Sequence, residues 1–191
     1  MKKVSLLIMI LLAASFAPRK PALSAGDKTA KGRIELGGSV SLNYTSYEDY
    51  SIRVISIMPS LGFFVIPRLA LEPRFLLLHE SASHRVLPDY SATDFGAIFN
   101  VVYHFEGKGE SDIVPFIFGG LGFVTHSGDV GGADQVTMVL PDIGGGFKVF
   151  FTNEATMRAE LFYQRVFNAH GWKDMDADEL GIRAGVSIFV K

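Results

Sequence analysis

The chain has 191 residues, no cysteine, 16 phenylalanines and a formal net charge of −2. This length fits a single domain, and no linker-like or low-complexity segment divides the sequence. The lack of cysteine excludes a small secreted domain that is held together by disulfides. The acidic balance argues against a nucleic-acid partner, because that function requires a basic patch.

The first 25 residues have the pattern of a cleaved export signal. Lys2 and Lys3 supply the positive charge, and an apolar run over residues 4–16 follows them. That run, of about 13 residues, is shorter than the roughly 20 residues that a membrane-spanning helix needs. We place cleavage near Ala25, where small residues suit the peptidase. The mature chain, residues 26–191, loses four of the 18 basic side chains and none of the 20 acidic ones.

The mature chain begins with a long alternating stretch over residues 33–44. Every second residue is apolar or glycine, and the residues between them are small or polar. A period of two is that of a β-strand, whose successive side chains point to opposite faces. The stretch is longer than the about 5–6 residues of an ordinary strand. Its apolar set is Ile34, Leu36, Gly38, Val40, Leu42 and Tyr44.

The next four strands are predicted from the same alternation and are separated by polar or glycine-rich links. Pro59 and Pro73 lie inside strands 2 and 3, where proline lacks the N–H that the ladder needs, so we expect bulges or the sheet rim there. Both faces of strand 5 are apolar or glycine, which leaves its orientation open. The predicted positions are 52–65 for strand 2, 69–80 for strand 3, 93–105 for strand 4 and 113–125 for strand 5.

Residues 135–151 and 155–167 are predicted as strands 6 and 7, joined by a short polar turn. One face of strand 7 is apolar, and the other face carries Arg158 and Glu160. Strand 8 finishes the chain in the same way, with Arg183 among the glycine and serine residues of its polar face. These strands are therefore two-sided, with an apolar face opposite a face that holds ions.

The links between the eight strands alternate in length. Links 2–3, 4–5 and 6–7 are short, links 3–4, 5–6 and 7–8 are long, and link 1–2 is intermediate. Transmembrane barrels combine an even strand number with short turns at one end and longer loops at the other. The sequence therefore predicts an all-β protein, an eight-stranded antiparallel up-and-down transmembrane β-barrel.

Eight charged residues, four acidic and four basic, lie in mid-strand on the small, polar face. On a soluble barrel this face would be solvated and the apolar face would fill the interior. An eight-stranded barrel is only wide enough for its own side chains, so it cannot enclose so many Phe, Leu and Ile groups. We therefore expect the apolar face against lipid and a lumen closed by ion pairs, because unpaired buried charges are costly. The predicted network is Glu35, Glu72, Arg74, Asp142, Lys148, Arg158, Glu160 and Arg183.

Aromatic residues collect near the predicted strand ends, at the level expected for lipid headgroups. Outer-membrane barrels carry girdles of aromatic rings at both interfaces. The alternative explanation is the ordinary preference of aromatic residues for strands. The predicted girdle residues are Tyr44, Tyr47, Tyr50, Phe63, Phe64, Tyr103, Phe105, Phe150, Phe151, Tyr163 and Phe167.

Three segments resemble one known family. They are Pro-Phe-Ile-Phe-Gly-Gly-Leu-Gly-Phe at 115–123, the hairpin from Gly-Gly-Gly to Arg-Ala-Glu-Leu-Phe-Tyr at 144–163, and residues 61–72 around a Pro-Arg turn. Together they are similar to the OmpA/OmpX-type small outer-membrane β-barrel domain family, over nearly all of the mature chain. The resemblance implies insertion by the outer-membrane assembly machinery, which reads the last strand. The chain departs from the family by ending on Val190 and Lys191 instead of an aromatic residue.

The sequence predicts no catalytic, cofactor-binding or metal site. His126 and Ser127 place a possible base beside a possible nucleophile, with Asp129 near, but neighbours in a strand point to opposite faces. The acidic loop residues 174–179 lack the glycine of a calcium-binding loop. The other histidines lack a metal-ligand spacing, and we expect polar or rim positions for them. They are His79, His84, His104 and His170.

The sequence thus predicts a monomeric outer-membrane protein with both chain ends in the periplasm and its loops outside. The expected partners are outer-membrane lipid and lipopolysaccharide, and the expected role is structural or a surface contact of the adhesion type. One alternative is a narrow channel or a small-ligand binder at the outer mouth. A further alternative is a lipid-modifying barrel enzyme.

Overall fold

Eight antiparallel strands, each paired with its neighbours in sequence, close into a barrel. The computed structural model describes residues 28–46, 50–84, 90–105, 112–127, 136–168 and 177–190. The strands are β1 (Ile34–Ser46), β2 (Tyr50–Ile66), β3 (Leu69–His84), β4 (Tyr90–His104), β5 (Ile113–Ser127), β6 (Val136–Phe150), β7 (Ala155–Asn168) and β8 (Ala177–Val190). Strands β1 and β8 pair and close the ring, which confirms the predicted fold class.

The two ends of the barrel differ in the links that they carry. We call the end with the links β2–β3, β4–β5 and β6–β7 the turn end, and the opposite end the loop end. The predicted export signal, residues 1–25, lies outside the described residues and stays a prediction. Within the described part of the chain, no helix is both long enough and apolar enough to cross a membrane.

The strands extend further toward the loop end than the sequence pattern indicated. Strand β3 continues to His84 and β4 begins at Tyr90, with Ser81 and Ser91 paired in a regular ladder. The predicted long loop at 81–92 is therefore wrong, because backbone hydrogen bonds continue this hairpin through residues with polar side chains. The predicted alternation of link lengths also fails here, since the β4–β5 link is longer than the β3–β4 link.

The β2–β3 turn is short, as predicted, and holds only two residues. One of them, Arg68, takes a left-handed backbone conformation with φ 71°. The β2–β3 register shifts beside this turn, between Phe64 and Ile66. Neither Pro59 nor Pro73 lies at a bulge or at the rim, because each pairs within an unbroken register on one side, Pro59 with β1 and Pro73 with β4. In the β2–β3 ladder neither proline is paired, which agrees with the missing N–H.

Side chains alternate between the exterior and the interior of the barrel. On β1, Leu42 is 70% exposed and Glu35 is 1% exposed. On β8, the exposed Ile182 is followed by the buried Arg183. The exterior is therefore apolar and the middle of the interior is charged, as expected of a barrel that lies in lipid.

The structure orients β5, which the sequence left open. Phe116 and Phe118 are buried in the interior, whereas Ile117, Leu121 and Phe123 are exposed on the outside. The buried rings belong to an apolar group near the turn end, which we call the interior aromatic cluster. Its members are Phe64, Ala70, Val102, Val114, Phe116, Phe118, Phe150, Phe162 and Phe189.

Two of the predicted girdle residues, Phe64 and Phe150, belong to this cluster, so their assignment to the lipid interface is wrong. The sequence could not separate Phe63 from Phe64, because both are aromatic and only the strand register decides which one faces lipid. The side chains of Tyr44, Tyr47 and Tyr50 lie outside the described part of the structure. The exposed members of the predicted girdles are Phe63, Tyr103, Phe105, Tyr163 and Phe167.

Candidate functional site: the barrel interior

The interior holds the eight charged side chains that the sequence singled out. Each occupies an inward position of its strand, because residues two apart share one face. All eight are at most 3% exposed. They are Glu35 on β1, Glu72 and Arg74 on β3, Asp142 and Lys148 on β6, Arg158 and Glu160 on β7, and Arg183 on β8.

Four of these side chains form a bridge between β3 and β7, which lie on opposite sides of the ring. The guanidinium of Arg74 donates to both carboxylate oxygens of Glu160, at 2.9 and 3.1 Å. Nη1 of Arg158 donates to both oxygens of Glu72, at 3.1 and 3.0 Å. Within the strands, Arg74 also binds Glu72 at 2.6 Å and Arg158 contacts Glu160. Each charge of this β3–β7 quartet therefore meets two opposite charges.

Arg183 connects the quartet to Asp142. Its terminal nitrogens donate to the two carboxylate oxygens of Asp142 at 3.3 Å each, and Nη1 lies 3.8 Å from Glu160 Oε2. Asn100 on β4 donates to Asp142 at 3.2 Å. Gly120 on β5 makes room for this amide, since a Cβ there would meet Asn100 Oδ1. Polar contacts thus link β4 and β6 to the opposite wall.

Lys148 is the centre of a second group of buried polar side chains. Its Nζ donates to Glu35 Oε2 at 2.6 Å and to His104 Nε2 at 2.9 Å. Ser187 donates to the other Glu35 oxygen at 2.6 Å. His104 Nδ1 lies 3.2 Å from the carbonyl oxygen of Arg68. Since a carbonyl only accepts and an ammonium only donates, His104 is a neutral imidazole with its proton on Nδ1.

His104 also belongs to this site, although it lies outside the network predicted from the sequence. We expected a polar or rim position, whereas its side chain is 0% exposed and binds Lys148. The available signal was its place in β4 next to the outward Tyr103. The contact itself could not be derived, because the two residues are 44 positions apart in the chain.

Each of the four cations in the predicted ion network faces a ring of the interior aromatic cluster. The face of an aromatic ring carries negative potential and attracts a desolvated cation. The distances to the ring centroids are 4.8 Å for Arg74 over Phe118, 5.3 Å for Lys148 over Phe116, 5.2 Å for Arg158 over Phe116 and 3.5 Å for Arg183 over Phe162. The rings therefore replace part of the hydration that these cations lose.

Residues 28–33 fold across the turn end, and we call them the N-terminal cap. Lys28 and Thr29 are 1% and 2% exposed, although they precede the first strand. The Gly32 N–H donates to the Phe64 carbonyl at 2.8 Å, and the Arg68 N–H donates to the Thr29 carbonyl at 2.9 Å. These backbone bonds hold the cap against the β2–β3 hairpin.

Two cationic side chains join the cap to the other turn-end links. Lys28 Nζ lies 3.1 Å from Asp112 Oδ1 in the β4–β5 link. Arg33 donates to the carbonyl of Asn153 in the β6–β7 turn at 3.1 Å. Both cations also lie over rings of the interior aromatic cluster, 4.8 and 4.9 Å from the centroids. The cap therefore covers the aromatic cluster and ties the three turn-end links together.

The residues considered for catalysis lie at the loop end of β5. This strand runs through both His126 and Ser127, whose side chains, like the whole of Asp129, lie outside the described part of the structure. His79 is on the exterior, where its Nδ1 lies 3.1 Å from the Thr93 hydroxyl. Among the described residues, no group of three or more His, Asp or Glu side chains could hold a metal ion.

Comparison with solved structures places this fold among small outer-membrane barrels. The N-terminal β-barrel domain of Pseudomonas aeruginosa OprF matches with a TM-score of 0.55 and 18% identity, over 84% of this chain and 98% of that chain. Neisserial surface protein A matches with a TM-score of 0.53 and 17% identity, over 82% of this chain and 95% of that chain. The outer-membrane enzyme PagL matches with a TM-score of 0.46 and 16% identity, over 81% of this chain and 98% of that chain.

The first two likenesses establish the fold, that of an eight-stranded outer-membrane β-barrel. This confirms the fold that the three sequence segments led us to expect. No protein-family model matches the sequence, and no curated protein matches it. The likeness therefore concerns the barrel itself, and the role of the chain has to be argued from its interior and its loops.

Proposed function

We propose that the chain is an integral outer-membrane protein whose lumen is closed by ion pairs and whose role is structural or a surface contact made by its loops. The observation that carries this proposal is the β3–β7 quartet, which crosses the barrel from wall to wall with buried side chains. The shared fold with outer-membrane barrels supports the location.

Apolar layers on both sides of the ion pairs support a closed lumen. The interior aromatic cluster and the N-terminal cap lie toward the turn end. A smaller apolar cluster lies toward the loop end, formed by Met58, Leu76, Val124 and Leu140. Eight-stranded barrels are filled by their own side chains, and aqueous channels come with about 16 strands or more. We infer that the barrel conducts no ions.

Planar-bilayer recording of the purified barrel tests the closed lumen. We expect no single-channel current in any salt, because no charge of the β3–β7 quartet is free to rearrange without losing two partners.

The second candidate function, a narrow channel or a small-ligand binder at the outer mouth, has one observation in its favour. Asn100 Oδ1 and Gln164 Nε2 are buried without a hydrogen-bond partner, which fits hydration from the mouth. Current that rises with salt would establish the channel in place of a closed barrel.

A filled interior leaves the loops as the surface for a partner. The barrel closes within one chain, which supports a monomer. We propose that lipopolysaccharide surrounds the outer half and that the loop-end links make the contact, with the acidic stretch in 169–176 as the first candidate.

Loop replacement tests this contact. Residues 169–176 exchanged for an equally long Gly/Ser segment leave the last β7–β8 pair, Val166–Ala177, intact. We expect loss of cell adhesion or of partner pull-down while the folded barrel keeps its gel mobility. The matched control is a Gly/Ser exchange of residues 106–111 in the β4–β5 link, which lies at the opposite, turn end of the barrel. Unchanged adhesion after replacement of every loop-end link would refute a surface contact.

We assign no enzymatic activity to the chain. A lipid-modifying reaction is the competing proposal, and lipid A is its substrate class. Fatty-acid release from lipid A by the purified protein, abolished by Ser127→Ala, would establish that reaction and overturn the structural role.

A further inference from the structure

The seam between β1 and β8 is paired over only part of its length. Its last pair toward the loop end is Val40–Ala184. Strand β1 nevertheless continues to Ser46, paired with β2, and β8 begins at Ala177, paired with β7. The two strands therefore diverge toward the loop end, and among the described residues one edge of each strand lacks a β-partner there.

This divergence is specific to one seam. In each of the other seven seams, the ladder reaches the last residue at the loop end of at least one of its two strands. Fraying of strand ends near loops does not explain a ladder that ends six residues before β1 does.

The side chains beside the divergence are the most exposed large apolar groups in the described barrel. Leu42 is 70% exposed, and Leu180 and Ile182 are 72% and 70% exposed. In the closed part of the same seam, the exposed large apolar side chains range from 37% exposed for Val190 to 63% for Val186. A neighbouring strand normally covers part of each outward side chain. The higher exposure of these three side chains therefore indicates that no neighbouring strand covers them on that side.

The gap lies within the apolar band of the exterior. Leu42 and Ile182 belong to that band, and Leu180 lies at its border, where it pairs with the girdle residue Tyr163. The polar rim begins at Asp178, which accepts a hydrogen bond from Tyr163 at 2.6 Å. A sheet edge that faces hydrocarbon has no ladder partner for its N–H and C=O groups, and each such group left unsatisfied costs several kcal/mol. A hydrogen-bonding group that reaches the edge from the lipid phase would lower this cost.

Buried donors lie behind the gap. Nε of Arg183, on the unpaired part of β8, has no hydrogen-bond partner, and neither has Nε2 of Gln164 on the adjacent β7. Both side chains are at most 5% exposed. Asp142 and Glu160 already neutralise Arg183. A neutral acceptor such as a carbonyl therefore fits this place better than another carboxylate.

We propose that the loop-end half of the β1–β8 seam is a lateral binding site for an acyl chain of a membrane lipid. The chain packs on Leu42, Leu180 and Ile182, and its ester or amide carbonyl accepts hydrogen bonds from the strand edge and from the donors behind it. A strand of a second protein fits less well. Because β1 and β8 are antiparallel, an inserted strand would run parallel to one of them, which is the weaker pairing.

Paired cysteines test the gap, since the chain has no native cysteine. Leu36 pairs with Ile188 in the closed part of the seam, and the same register continued would place Leu42 opposite Ile182. We expect Leu36→Cys/Ile188→Cys to form a disulfide on mild oxidation. Leu42→Cys/Ile182→Cys should stay reduced, because a disulfide needs Cα atoms within about 7 Å. Equal cross-linking of both pairs would show a closed seam and overturn the proposal.

Native mass spectrometry tests the ligand. The probe is a diacyl phosphatidylethanolamine added to the mature protein in mild detergent. We expect one retained lipid, and about tenfold weaker retention by Gln164→Leu, because a buried hydrogen bond is lost. Thr156→Val, which changes a buried residue at the turn end of the same strand, should retain the lipid.

Either of two results in that experiment would overturn the proposed ligand. One is equal retention by the native chain and Gln164→Leu, and the other is a dimer mass or a bound peptide in place of lipid. Neither result bears on the loop contact, which has its own test.

Discussion

At the scale of single residues, the buried ions are stable because each has an opposite charge or a hydrogen-bond partner within reach. Lys148 shows this most simply, since Glu35 and His104 are its two polar partners. Removing one member of a buried pair leaves an uncompensated charge, whereas removing both leaves none. The contribution of these residues to the free energy of unfolding therefore depends on the pair and not on either residue alone.

The Lys148–Glu35 pair yields a measurable coupling. We expect Lys148→Met to lower the free energy of unfolding by about 3–5 kcal/mol, because Glu35 stays charged without its partner. The double variant Lys148→Met/Glu35→Gln should lose much less than the two single losses combined. Urea unfolding of the barrel in lipid vesicles measures the free energy for the two single variants, Lys148→Met and Glu35→Gln, and for the double variant. Additive losses would contradict an ion pair, and Lys31→Met, at an exposed position, serves as the control.

At the scale of strands, glycines allow β6 to lie close to its neighbours. A Cβ on Gly146 would meet the carbonyl oxygen of Ala159 on β7. A Cβ on Gly144 would lie 2.6 Å from the Phe118 ring, which stands over Arg74. Small residues in β6 thus make space for the aromatic rings that cover the cations.

Alanine substitution tests this close approach. We expect Gly146→Ala to destabilise the barrel by about 1–3 kcal/mol, because the backbone oxygen it meets cannot move aside. Gly119→Ala is the control, since a Cβ there finds its nearest atom, in Ile143, at 3.8 Å. That variant should stay within about 0.5 kcal/mol of the native chain. Equal unfolding midpoints for the two variants would show that a Cβ at position 146 fits between β6 and β7 without strain.

The N-terminal cap behaves as an element of its own and can be probed by amide exchange. Arg33→Ala removes the hydrogen bonds to the Lys28 and Asn153 carbonyls. The amide protons of Gly32 and Arg68, which bond across the cap, should then exchange faster. Lys31→Ala, at an exposed position of the same segment, should leave both rates unchanged. Unchanged protection in Arg33→Ala would mean that this side chain does not hold the cap.

At the scale of the whole molecule, the barrel is asymmetric along its axis. The turn end is covered by the cap and the aromatic cluster, the middle is crossed by ion pairs, and the loop end has one partly open seam. Four acidic and four basic side chains thus lie between two apolar layers of the interior.

The distribution of faces could be predicted from sequence wherever polar and apolar residues alternate. On β1 and β8 the charged and aliphatic positions separate cleanly, and the same alternation on β3, β6 and β7 supplied the other six ions of the predicted network. On β5 the neighbours Phe116 and Ile117 are equally apolar, so only the closed barrel decides which of them faces lipid. Local pattern therefore assigns a face only where the two faces differ in polarity.

Partners across the lumen could not be predicted, because they depend on register around the whole ring. Arg74 and Glu160 are 86 residues apart in the chain, and no local spacing relates them. The N-terminal cap was missed for the same reason, since Lys28 meets Asp112 only when the barrel is closed. The point at which the β1–β8 ladder ends could not be predicted either, because apolar and polar residues alternate along β1 in the same way on both sides of it.

Quenching by brominated phospholipids along β5 tests the inside-out arrangement most directly. The single tryptophan is first replaced by Trp172→Phe, and one reporter is then introduced, either Phe123→Trp or Phe116→Trp. Phe123 is 48% exposed and Phe116 is 1% exposed. We expect strong quenching of the reporter at 123 and almost none at 116. Strong quenching at 116 with a protected reporter at 123 would contradict the inside-out arrangement.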